Sequence, residues 1–169
     1  EVGPLRLSMS ANLADQVAAM NHAQFAPMGL AADFTGDGLS DLAHLEPARD
    51  HWHVVPNAPS GFTQEQTWLS GSFPPETGTL VGDVESDGKT DLILWDTSSG
   101  LWQVARSTGS SFSSPTRWHG GFGAGEKPFM GDFNGDGRLD VGTVASGGRW
   151  QVALSTGTRF RDPTTWLAG

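Results

Sequence analysis

The sequence repeats itself about every fifty residues, and that period limits the folds open to it more than any other feature. Asp33, Asp83 and Asp132 open equivalent segments 50 and 49 residues apart. Trp52, Trp102 and Trp150 keep the same phase, as do Trp68, Trp118 and Trp166, and Phe62, Phe112 and Phe160. Four markers in one register mean one supersecondary unit used three times. Such a unit cannot bury its apolar face alone, so neighbouring copies must stack to make a core.

Within a unit the pattern predicts four short strands. In the third copy these are Pro128–Phe133, Leu139–Ala145, Arg149–Ser155 and Thr164–Ala168, with an Asp-rich loop between the first two. The stretch Trp150-Gln-Val152-Ala-Leu154 alternates apolar and small or polar residues, which places its apolar side chains on one sheet face. Pro47-Ala-Arg49, Ser98-Ser99-Gly100 and Gly147-Gly148 stand where hairpins must turn, and Ser107-Thr-Gly109 and Ser155-Thr-Gly157 mark a later turn. The 23 Gly and 10 Pro suit turn-rich β structure and argue against a helical chain. The expected fold is therefore all-β: propeller blades of four antiparallel strands, over about 28–77, 78–126 and 127–169.

Residues 1–27 show no full unit. Leu5-Arg-Leu7-Ser-Met9-Ser matches a third strand, and Asp15–Asn21 falls where a fourth would lie, so a half-blade is expected there. The rival reading makes Asn12–His22 a short helix with Asn12 as its N-cap. Three and a half blades do not close a ring, since propellers typically have at least four. A second copy of the chain, with a dimeric ring of about six or seven blades favoured, or a further segment of a longer chain is expected to complete it.

The loops carry the chemistry. They read Asp33-Phe-Thr35-Gly-Asp37-Gly-Leu39-Ser-Asp41, Asp83-Val-Glu85-Ser-Asp87-Gly-Lys89-Thr-Asp91 and Asp132-Phe-Asn134-Gly-Asp136-Gly-Arg138-Leu-Asp140. Side-chain oxygens recur at positions 1, 3, 5 and 9, and a glycine at position 6 permits the turn that aims the position-7 carbonyl inward. Leu39, Lys89 and Arg138 would supply that carbonyl and point their side chains to solvent. Such an oxygen-rich, tightly curled set suits Ca²⁺, which takes six to eight hard ligands. These are not EF-hands, whose loop closes on Glu at position 12; here that position holds His44, Leu94 and Thr143. Up to three Ca²⁺ are expected, most reliably in the third loop, where Asn134 completes the donor set. Glu85 adds a further charge to the second loop, and Thr35 offers only a hydroxyl to the first.

With Gly120-Gly-Phe122-Gly-Ala-Gly ahead of Met130-Gly-Asp132-Phe-Asn-Gly-Asp136-Gly, residues 28–169 resemble three FG-GAP/VCBS-type repeats, the blades of integrin α-subunit propellers and of a fungal lectin. The resemblance implies a β-propeller with Ca²⁺ in the turn between the first two strands of each blade. It also implies an extracellular setting and binding to glycans or protein surfaces.

Charge and composition narrow the function. The formal charge is −9, and ten of the nineteen acids lie in the three loops. Nucleic acid is not an expected partner for such a chain. No apolar run is long enough to span a bilayer as a helix. The absence of cysteine removes disulfides and thiolate metal sites. The beginning of the sequence carries no basic stretch followed by an apolar one, so a mature, secreted protein is expected. Neither G-x-S-x-G nor H-E-x-x-H nor a phosphate loop is present, so no enzyme is expected.

Six of the seven Trp keep the repeat's phase, which packing would produce; Trp95 alone has no counterpart. If sugar is bound, Trp118 and His119 between blades are the expected contacts. His51 and His53 flank Trp52 and share a strand face with His44 on the neighbouring strand. Three imidazoles could hold zinc or copper, but no further ligand is legible beside them. The expectation is a calcium-stabilised secreted binding module, lectin-like, for carbohydrate or a protein surface. The alternative is a non-catalytic scaffold or self-assembly domain, with an enzyme fragment third.

Overall fold

The computed structural model of the chain describes residues 29–71 and 77–168, so both readings of residues 1–27 fall outside it. The described residues form twelve strands and no helix. Blade 1 consists of β1 (Leu30–Ala32), β2 (Asp41–Glu46), β3 (His51–Val55) and β4 (Gln66–Ser70). Blade 2 consists of β5 (Thr77–Gly82), β6 (Asp91–Asp96), β7 (Leu101–Ala105) and β8 (Thr116–Gly120). Blade 3 consists of β9 (Lys127–Gly131), β10 (Asp140–Val144), β11 (Trp150–Ala153) and β12 (Thr164–Leu167). Each blade is an antiparallel sheet whose strands pair in chain order. The fold is all-β and propeller-like, as the period demands.

Each expected turn joins the strands it was placed between. A register shift recurs in the third strand of every blade, at Trp52/His53, Trp102/Gln103 and Trp150/Gln151. Such a bulge increases the local twist and bends the outer strand.

The cores lie between the blades. Ala43, Trp52, Val54 and Trp68 of blade 1 are buried against Leu92, Ala105 and Phe112 of blade 2. Ile93, Trp102, Val104 and Trp118 of blade 2 are buried in the same way against Val141, Ala153 and Phe160 of blade 3. Strand alternation explains this: along β6, Ile93 faces forward to blade 3 while Leu92 faces back to blade 1. The unmatched Trp95 joins the second core, stacked on Trp102 at 5.4 Å.

The forward face of blade 3 has no described neighbour. Trp150 is 41% exposed and Trp166 51%, whereas their counterparts Trp102 and Trp118 are 0% and 4%. The same residue types in the same strand positions differ only in whether another blade follows. At the other end Phe62 is 57% exposed, while Phe112 and Phe160 are buried.

Candidate metal loops and the joints between blades

Each Asp-rich loop leaves the first strand of its blade and returns at the first residue of the second, which is the position-9 Asp. In loop 1, Asp33 accepts hydrogen bonds from the N–H groups of Gly36 (2.6 Å), Asp37 (3.2 Å) and Gly38 (2.7 Å). Asp132 does the same with Gly135 (2.7 Å), Asp136 (3.2 Å) and Gly137 (2.9 Å). A carboxylate that gathers three consecutive N–H groups curls the backbone around itself. The N–H groups, that of Gly137 above all, hold the Asp132 carboxyl below its usual range.

Position 4 adds a constraint that the sequence reading missed. Gly36 and Gly135 sit at φ +80° and +78°, and Ser86 is forced to φ +61° in loop 2. There the position-4 bond is replaced by a longer one from Glu85 N to Asp83 at 3.2 Å.

Position 9 is the anchor. Asp41, Asp91 and Asp140 are fully buried. One oxygen of each accepts from the position-2 N–H: Phe34 (2.8 Å), Val84 (3.2 Å) or Phe133 (3.0 Å). The other accepts from the residue two places after the third strand in blades 1, 2 and 3: Asn57 (2.7 Å), Ser107 (2.8 Å) or Ser155 (2.7 Å). Burial pushes the Asp91 carboxyl up to about 7, and the nearby Glu85 and Asp83 add to the rise against those N–H bonds. Burial likewise raises Asp140, with Asp136 and Asp132 contributing. A buried carboxylate ringed by others is a negative centre that a cation would relieve.

The loops offer the hard oxygens and curled backbone that Ca²⁺ takes, but both oxygens of each position-9 Asp already accept backbone N–H bonds. Among the described residues, no three loop carboxylates bring ligand atoms within 4.8 Å of one another. Two details depart from expectation. Lys89 and Arg138 do not point to solvent but fold back on their own loops. Lys89 Nζ donates to Asp87 at 2.9 Å and Arg138 Nη2 to Asp136 at 2.7 Å. Each long side chain bends back because the position-5 carboxylate also accepts its backbone N–H, at 2.9 and 3.0 Å. In loop 2 the extra carboxylate, Glu85, is met by Arg106 at 3.3 Å. Asn134 stays within loop 3, donating to Asp136 at 3.1 Å, and the Thr35 hydroxyl reaches Asp33 at 3.4 Å.

The loops are also the joints between blades. The position-8 N–H of one blade donates to the position-1 carbonyl of the blade before it: Thr90 to Asp33 at 2.8 Å, Leu139 to Asp83 at 2.9 Å. The serine held by the position-9 Asp donates its hydroxyl to the previous position-2 carbonyl: Ser107 to Phe34 and Ser155 to Val84, both at 2.6 Å. Phe112 N and Phe160 N donate to the carbonyls of Trp68 (3.0 Å) and Trp118 (3.1 Å). Three hydrogen bonds thus recur at both joints, beside an aromatic contact of Phe112 on Trp68 and of Phe160 on Trp118.

The expected sugar contact at Trp118 does not survive. Its ring lies in the inter-blade core against Phe160, so neither face is free to stack on a sugar. His119, next in the strand, packs edge-on to Phe122 and reaches Asp162 at 3.4 Å.

Fold and loops together define the class: among the described residues this is a β-propeller-like module, and its second and third loops carry the FG-GAP pattern. Residues 83–143 match the family model described as FG-GAP-like repeat, spanning the second and third loops. Among solved structures the chain is similar to one from the Tc holotoxin pore of Photorhabdus luminescens, with a TM-score of 0.65 and 20% identity. The match covers 86% of this chain and 7% of that one, and at this identity the likeness is one of fold. No curated protein matches the chain.

Proposed function

We propose that the chain is a calcium-braced, secreted propeller segment that works as a non-catalytic scaffold, docking other blades or protein surfaces onto its open ends. The observation that carries this reading is the joint. One set of three hydrogen bonds and an aromatic contact occurs twice, and its two halves are left over at opposite ends. Blade 3 presents the accepting half, with Trp166 exposed; blade 1 presents the donating half with Asn57 in place of the serine, and with Phe62 exposed. Exposed apolar patches of this kind mark interaction surfaces. That the similar chain belongs to a holotoxin pore is in keeping with a part that works inside an assembly.

In this reading Ca²⁺ is held by Asp33, Thr35, Asp37, the Leu39 carbonyl and Asp41, and by the equivalent sets around Asp87 and Asp136. It supplies charge compensation that stiffens loops already serving as joints. Light scattering in Ca²⁺ on the wild type, Trp166→Glu and Phe62→Glu tests the scaffold role. A concentration-dependent oligomer that either variant dissolves is expected. A strict monomer that binds on a glycan array would instead favour the lectin reading.

A further inference from the structure

Blade 1 differs from the other two in one respect that the propeller does not need. Alternation along β2 and β3 sends Ala43, Trp52 and Val54 forward into the core shared with blade 2. His44, Glu46, His51 and His53 therefore occupy the backward face. Pairing sets His44 opposite His53 and Glu46 opposite His51, a two-by-two block of cross-strand neighbours. Blade 2 has Leu94, Asp96, Leu101 and Gln103 at these positions, so the block is not part of the repeating architecture.

We propose that this block is a second kind of metal site, for a zinc-like late first-row dication, with Glu46, His51 and His53 as ligands. Their ligand atoms all lie within 4.8 Å of one another, and among the described residues they are the one such trio of His, Asp or Glu. His53 Nε2 approaches Glu46 Oε2 at 3.2 Å. Its other ring nitrogen, Nδ1, lies 3.5 Å from Glu65 Oε1 and 3.3 Å from Thr67 Oγ1. A carboxylate behind a histidine is the arrangement that fixes the ring and its tautomer in metal sites. Glu65 is itself steadied by His44 Nε2 at 3.1 Å, and the His44 ring stacks on His53 with centroids 5.1 Å apart.

Imidazole with one carboxylate suits zinc and its neighbours rather than calcium, whose ligands are oxygens. Two histidines and a glutamate are a known zinc set that leaves a fourth position open. Arg49 competes for the site, since its guanidinium donates to Glu46 at 3.2 Å; it is largely exposed and can swing away. The backward face is the one by which blades 2 and 3 meet their predecessors. An ion held there would sit where a preceding blade docks, a role separate from that of the Asp-rich loops.

The test is a competition titration of Zn²⁺ against a chromophoric chelator, with the loops saturated by excess Ca²⁺. One Zn²⁺ per chain is expected, with at least roughly tenfold weaker binding in His51→Gln and in Glu46→Gln. Arg49→Met should bind as well as the wild type or better, and His119→Gln in blade 2 should bind unchanged. His51 and Glu46 are only half-buried, and unchanged circular dichroism and melting would show that both variants fold. No Zn²⁺ uptake by the wild type would overturn the proposal. So would uptake that both His51→Gln and Glu46→Gln leave unchanged, which would place the ion elsewhere and leave the block as imidazole–carboxylate pairs.

Discussion

A single carboxylate organises each loop at two distances. Asp91 holds the N–H of Val84 within its loop and the N–H of Ser107 beyond β7, so one residue ties a turn to a strand end. Ser86 shows the cost of departing from the pattern. Its loop partners are glycine at a positive φ, and a non-glycine residue there carries roughly 1–3 kcal/mol of strain. Ser86→Gly is expected to stabilise the protein by about 1 kcal/mol in urea unfolding; no gain would mean that loop 2 tolerates the serine without strain. Asp96 gives a pH prediction. Hydrogen bonds from the Ser99 and Ser98 hydroxyls, with the Ser98 N–H, hold its carboxyl down to about 2 from 3.8. A depressed acid stabilises the fold above its unfolded value and loses that contribution as pH falls through the folded one. Melting of wild type and Asp96→Asn should therefore differ above about pH 4 and converge toward pH 2. A gap that persists undiminished at low pH would assign it to something other than the charge.

At the scale of the element, the repeat supplies its own control. Phe112 packs edge-on against Phe34 and Trp68, with centroids 5.7 and 5.2 Å away, whereas Phe62 stands exposed at the same point of blade 1. Phe112→Ala should cost about 3–5 kcal/mol, and Phe62→Ala less than about 1 kcal/mol in a monomer. Equal losses on chemical denaturation would refute the account of the joint. The hydroxyl of Ser107 makes a smaller contribution. Ser107→Ala leaves the Phe34 carbonyl without that buried donor and should cost about 1–3 kcal/mol.

For the molecule as a whole, stability is carried from blade to blade through the loops. Repeat arrays of this kind add intrinsic and nearest-neighbour terms. Anything that loosens the loops thus weakens every joint at once. If the loops hold Ca²⁺, excess EGTA should lower the melting temperature by several degrees and broaden the transition, and Asp136→Ala should reproduce part of that loss. An unchanged melt in EGTA would remove calcium from the architecture.

The period, the strand order and the Asp-rich loops were legible in the sequence because each depends on local chemistry: alternation, turn residues and oxygen spacing. Trp118 and Trp166 show where legibility ends. Both occupy the same phase, yet one is buried and the other half bare, because burial depends on whether a neighbouring blade is present. The positive φ at Ser86 was hidden because a serine carries no local signal for it; the curl of the loop around Asp83 imposes that conformation at position 4. Glu46 and Glu65 were invisible as companions of the histidines, since only strand pairing brings residues 7 and 12 places from His53 in the chain to the same patch as its ring. Local rules operate along the chain, and the tertiary structure decided which of their products meet across strands and between blades.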